Sequence, residues 1–144
     1  MLLTASYYLI CQDEVNLTDD DKTNAKQLFS DSFEELMELT TEKLREIPPT
    51  ANFDGFSCDL REVYEPQKRR NGWLWTVEGR GIGWLKDYSD EQLSSLFVFL
   101  EGVAFSHIED FQTQLKFVKN DDSSTSNVRR NGDHISVNFY LTAK

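Results

Sequence analysis

Apolar positions change period several times along this chain, and each change marks an element. Residues 5–11, Ala-Ser-Tyr-Tyr-Leu-Ile-Cys, are rich in β-formers and apolar at both parities. That pattern predicts a strand covered on both faces and central in a sheet. From Ala25 the period lengthens: Ala25, Leu28, Phe29, Phe33, Leu36, Met37 and Leu44 keep helical spacing to about Glu46. Thr18 and Asp21 stand in capping spacing ahead of that stretch, and Asp19-Asp20-Asp21 place carboxylates at the positive end of the helix dipole. Pro48-Pro49 is a helix stop.

Period two returns at Phe56, with Cys58, Leu60 and Tyr64 on the same side, and again over Trp73 to Glu78. Asn71-Gly72 between these strands is tight-turn chemistry. Gly79-Arg80-Gly81-Ile82-Gly83 reads as a flexible exit from the second strand. Ser89 and Gln92 form a capping box, with Tyr88 and Leu93 at staple positions. They open a helix that is apolar nearly all round and is expected to end near His107. Residues 112–119 alternate weakly, which predicts a strand, and Asp121–Asn127 reads as a polar loop. His134–Thr142 alternate cleanly, with Ile135, Val137, Phe139 and Leu141 on one side. The order β-α-β-β-α-β-β predicts an α+β fold whose first six elements match a ferredoxin-like arrangement. In it, an antiparallel sheet carries two helices on one face.

A chain of 144 residues suits one domain, here 1–144, with a core large enough to need no staples. The two cysteines, Cys11 and Cys58, lie in apolar stretches without CxxC spacing, so free thiols are expected. The first residues lack the basic n-region and cleavage site of a signal peptide, which points to the cytoplasm. The longest apolar run, Leu93 to Phe105, is too short and too interrupted to span a bilayer, which needs about 20 residues, so no membrane is expected.

Net charge changes the picture most. The chain carries −10, and residues 1–47 hold 11 of its 25 acidic side chains but only four of its 15 Lys and Arg. Such a surface repels nucleic acid and attracts basic partners.

Candidate chemistry is sparse. The Gly79–Gly83 loop lies between a strand and a helix, where phosphate cradles occur. Yet position 84, where a dinucleotide fingerprint wants its third Gly, is Trp84, and no Gly-Lys-Ser/Thr follows. Cys11, Cys58, His107 and His134 come singly from separate elements, without the paired spacing of zinc sites or a nucleophile signature. Asp19–Asp21 lacks the Gly and terminal Glu of a calcium loop. Lys68-Arg69-Arg70 and Arg129-Arg130, the former followed by Trp73 and Trp75, would suggest single-stranded nucleic acid in a basic protein, and the net charge opposes it. No catalytic residue, metal or cofactor is therefore expected, and no direct nucleic-acid contact.

The charge instead favours a non-enzymatic interaction module. In this reading Asp20, Asp31, Glu34, Glu35, Glu38 and Glu42 of the first helix face a basic surface on another protein. A nucleic-acid-binding protein is the partner that phosphate mimicry suggests, as with small phage-encoded inhibitors of host nucleases and defence systems. That analogy rests on charge and size alone. The alternative is a small-ligand-binding or enzymatic domain using the sheet face and the Gly79–Gly83 loop.

Overall fold

The computed structural model describes residues 1–11, 17–46, 53, 55–57 and 66–144. Its elements are β1 (Leu2–Ile10), α1 (Asp19–Glu46), β2 (Phe56–Ser57), β3 (Gln67–Arg69), β4 (Gly72–Gly81), a 3-10 turn (Leu85–Asp87), α2 (Asp90–Gln114), β5 (Thr125–Asn131) and β6 (His134–Thr142). Pro48-Pro49, Cys58, Leu60 and Tyr64 lie outside the described residues.

Both helices start where the caps predicted. Thr18 Oγ1 accepts from the Asp21 amide at 3.1 Å while Asp21 Oδ2 accepts from the Thr18 amide at 3.1 Å, and Ser89 and Gln92 make the same reciprocal pair at 3.1 and 2.8 Å. Each box satisfies two amides that a helix start would otherwise leave without partners. Tyr88 and Leu93 are both buried, as a staple requires.

The fold is α+β with a six-stranded mixed sheet, ordered β2-β4-β1-β6-β5, with β3 also paired to β4. β1 is central as expected, but its neighbours depart from the ferredoxin-like arrangement. β4 runs antiparallel to it, from Leu2 opposite Arg80 to Ile10 opposite Gly72, and β6 runs parallel to it, from Leu2 beside His134 to Ile10 beside Thr142. The parallel neighbour is thus the last strand of the chain, which the second helix and the β5–β6 hairpin deliver, and the sheet is mixed rather than antiparallel.

Three other expectations are corrected. α2 does not stop near His107: Ile108, Phe111 and Leu115 continue the buried spacing of Leu96, Leu100 and Ala104, and the helix runs to Gln114, so the strand expected over 112–119 is absent there. The polar stretch read as a loop contributes to β5, an edge strand pairing Thr125 with Tyr140 through Asn131 with His134. Its one large apolar residue, Val128, sits opposite Val137, so no alternation announced it. Finally, β1 is buried on one face only: Leu3, Ala5, Tyr7 and Leu9 are buried, while Leu2, Thr4, Ser6, Tyr8 and Ile10 are partly exposed.

The helices pack on that buried face. Tyr7 is stacked between Phe29 of α1 at 4.3 Å and Phe139 of β6 at 4.7 Å, and Phe111 of α2 closes edge-on against all three rings. Each buried ring contributes about 1.5–3 kcal/mol through lost apolar surface, and each such pair about 0.5–1.5 kcal/mol more. Gly72 is required where β4 begins: a Cβ there would lie 1.7 Å from the Leu9 carbonyl oxygen. No helix among the described residues is long and apolar enough to cross a membrane.

Candidate protein-interaction interface

α1 is amphipathic in an unusually divided way. Ala25, Phe29, Ser30, Ser32, Phe33, Leu36, Thr40 and Leu44 are its buried side chains. Asp20, Asp31, Glu34, Glu35, Glu38 and Glu42 are all exposed. At 3.6 residues per turn those six carboxylates fall within an arc of about 100°, opposite the buried stripe. The five from Asp31 to Glu42 occupy about 16 Å of helix, one charge every 4 Å or so.

Three of the basic residues of the helix have partners outside this stripe. Lys22 lies over the Trp73 ring at 4.4 Å, and Lys43 over the Phe99 ring at 4.6 Å, both on the side of the helix away from the stripe. Lys43 also approaches Glu46, at 3.6 Å. Arg45 lies beside the carboxylates, and its Nε donates to the Phe53 carbonyl at 2.7 Å. The aromatic partners of these lysines come from other elements, so the separation of charge could not be read from α1 alone.

The structure groups the six acids unequally. Glu34, Glu38 and Glu42 form one wall of an open groove of about 380 Å³, whose remaining lining is Met37, Thr41, Arg45, Gly55 and Phe56. Carboxylates thus stand over a partly apolar floor, a combination suited to a long cationic side chain with a methylene stem. Asp31 accepts from Gln27 Nε2 at 2.9 Å. Asp20 is three turns away from Asp31, at the start of the helix.

Glu35 belongs to an arrangement that sequence reasoning missed. Tyr7 Oη donates to Ser32 Oγ at 3.2 Å, Ser32 Oγ lies 2.8 Å from His107 Nδ1, and His107 Nε2 is 3.5 Å from Glu35 Oε1. Since the Tyr7 proton points at Ser32, the Ser32 hydroxyl is free to donate to Nδ1, which places the imidazole proton on Nε2, facing Glu35. Burial pushes the Tyr7 phenol far above its ordinary range, against the smaller opposing effect of its Ser32 hydrogen bond, so it stays a donor. The order Ser-His-Glu resembles a nucleophile relay, but Ser32 and His107 are both buried and Ser32 Oγ is engaged on both sides. The chain ties β1, α1 and α2 together. Its signal was two polar residues, Ser32 and His107, at core spacing on their helices.

The other candidates separate. Gly79 and Gly81 make room for neighbours: an added Cβ would meet Met37 Sδ at 2.9 Å and the Phe53 ring at 2.8 Å. The loop also offers carbonyls where a phosphate cradle needs amides, because Gly81 O and Gly83 O accept from the Met1 ammonium at 3.3 and 3.0 Å, and the Gly81 amide donates to Met1 O. His107 is on the helix-covered side of the sheet and His134 on the other, bonded to Thr4 Oγ1 at 2.7 Å, so they cannot share a site. Cys11 is a buried free thiol whose pKa burial raises, and Cys58 lies outside the described residues. Among the described residues no group of three or more His, Cys, Asp or Glu is placed to hold a metal ion. Asp19–Asp21 form the first turn of α1, where the box explains Asp21. Comparisons with protein-family models, with curated proteins and with solved structures found no match.

Proposed function

We propose that this protein is a non-enzymatic interaction module whose α1 stripe docks on a basic surface of a nucleic-acid-binding protein, occupying it in place of phosphates. The observation that carries this reading is the row of exposed carboxylates from Asp31 to Glu42, with Glu34, Glu38 and Glu42 along the groove. One charge about every 4 Å along the helix is close to the ~3.4 Å of axial rise per phosphate on one DNA strand. An acidic face of this kind speeds encounter with a basic cleft and excludes nucleic acid from it. The groove adds a place for one lysine or arginine of the partner, its stem over Met37 and Phe56 and its charge among the carboxylates.

The test is affinity capture with the wild-type protein beside a Glu34→Lys, Glu38→Lys, Glu42→Lys variant, followed by competition with short duplex DNA and RNA. The expected partner is a basic nucleic-acid-binding protein that added nucleic acid and high salt release, and that the variant binds at least tenfold more weakly. All three positions are exposed, so circular dichroism should show the variant folded. A partner held equally by the variant, or one that nucleic acid fails to displace, would refute the reading.

A further inference from the structure

The side of the sheet away from the helices carries a second surface. Every side chain that β1 and β6 place there is partly exposed and none is buried. Its chemistry is ordered in cross-strand rows. Asn127, Asn138, Ser6 and Thr76 form one row, and Thr125, Tyr140, Tyr8 and Leu74 the next. Tyr8 and Tyr140 are therefore lateral neighbours on the two central parallel strands, about 4.8 Å apart at the backbone. Among the described residues neither hydroxyl has a hydrogen-bond partner and neither ring packs on another ring.

The charge here is opposite to that of α1. Arg69 and Arg129 point to this side from the two margins of the sheet. Arg69 bonds only the neutral Gln67, at 3.1 Å, and Arg129 has no partner among the described residues. The acid on this side of β4, Glu78, is already matched by Arg80 at 3.0 Å. In the amide row Asn138 Nδ2 donates to Asn127 Oδ1 at 2.9 Å, which leaves Asn138 Oδ1 and Asn127 Nδ2 as an unused acceptor and donor side by side.

We propose that this open face binds single-stranded nucleic acid, with bases stacked on Tyr8 and Tyr140, base edges read by Asn127 and Asn138, and phosphates met by Arg129 and Arg69. Paired aromatic rings between polar side chains and flanking cations are what unstacked bases on a charged backbone require. A duplex is a poor occupant, since the short Ser, Thr and Asn side chains of a sheet face cannot reach base edges in its grooves. A second copy of this chain is also a poor one: the central rows are hydroxyls and amides, whereas interfaces between identical subunits are mostly apolar. The net charge of −10 argued against nucleic acid for the whole chain. The fold places the α1 carboxylates on the far side of the sheet and its packed helices, beyond a screening length of about 8–10 Å at ordinary salt.

Fluorescence anisotropy tests this with labelled RNA and DNA of one mixed sequence, single-stranded and duplex, across a salt series. Binding to a single strand in preference to its duplex is expected. Tighter binding to the RNA would assign a role to the 2′-hydroxyl, and equal binding would mark a platform general for single strands; either supports the proposal. Tyr8→Ala and Tyr140→Ala should each weaken binding by about 5- to 150-fold. Tyr8→Phe, which keeps the ring, should retain it. Arg129→Gln should reduce the salt slope by about 0.7. Thermal unfolding of each variant separates lost binding from lost folding. The proposal is overturned by no binding to either strand at low ionic strength, by equal affinity for duplex, or by folded tyrosine variants that bind as the wild type does. It is overturned equally if sedimentation shows this face closed by a second copy whose contact Tyr8→Ala disrupts.

Discussion

Tyr7 and Tyr8 are consecutive residues of the same type in one strand, and they live in different chemistries. Tyr7 is fully buried, stacked between Phe29 and Phe139, with its hydroxyl committed to Ser32. Tyr8 is partly exposed and its hydroxyl is unpaired among the described residues. Phe139 and Tyr140 repeat the contrast beside them on β6. The pleat turns these neighbours to opposite faces and the helices cover only one of them, so large aromatic residues in adjacent positions need not all be core.

The largest effect that could break this comparison is truncation on either side of the pleat. Tyr7→Ala should destabilise by about 3–5 kcal/mol, as expected for emptying an aromatic site in a packed core. Tyr8→Ala should cost less than about 1 kcal/mol. Urea unfolding measures both, and similar losses would mean that something covers the second face.

A smaller effect sharpens what holds the covered side. Ser32→Ala removes the link between the Tyr7 hydroxyl and His107 Nδ1, leaving a buried donor and a buried acceptor without partners. The expected cost is about 1–3 kcal/mol, and unfolding experiments should show it without a change in far-ultraviolet circular dichroism. Double replacement, Tyr7→Phe with Ser32→Ala, should cost less than the sum of the single changes, because the phenol no longer loses its acceptor.

The smallest effect belongs to neither face but to the end of the sheet. Asp133 Oδ2 meets the Met1 ammonium at 2.7 Å, and its Oδ1 accepts from the Leu85 amide at 2.8 Å. Burial alone would raise this carboxyl, but those hydrogen bonds and the ammonium charge outweigh it and hold the pKa below the ordinary carboxylate range. A lowered folded-state pKa contributes stability that is present at neutral pH and is lost as pH falls through the folded pKa. Asp133→Asn should therefore lower the melting temperature by a few degrees at pH 7 and by progressively less on acidification. An unchanged difference between variant and wild type across that range would show that the carboxylate charge contributes nothing.

Much of the covered side was legible in the sequence. Both capping boxes, the extent of α1 and the alternation of β6 follow from patterns a few residues long, and local chemistry enforces them. What escaped depended on residues far apart in the chain. β5 carries one large apolar residue, the partly buried Val128, and is held as a strand by pairing with β6. The apolar character of Tyr8 and Ile10 suggested two covered faces, because composition does not reveal whether a second layer exists to cover them. For the interface, the six carboxylates of α1 were readable, and their shared arc follows from helical geometry. The sheltering of Lys22 and Lys43 on Trp73 and Phe99, and the groove beside Phe56, required the fold.

The place of β1 has a kinetic consequence. Its two neighbours arrive about 60 and 130 positions later, as the registers of Ile10 with Gly72 and of Leu2 with His134 require. During synthesis one edge of this central strand can close once β4 has emerged, but the other must wait, unpaired, until β6 has left the ribosome. Pairings so distant in sequence close slowly because the loop entropy is lost before the contacts reward it. Meanwhile Tyr7-Tyr8-Leu9-Ile10 stands as an exposed, uncharged β-forming segment, the kind that joins other chains. Refolding should accordingly be slow and increasingly prone to aggregation as concentration rises, until β6 closes the sheet.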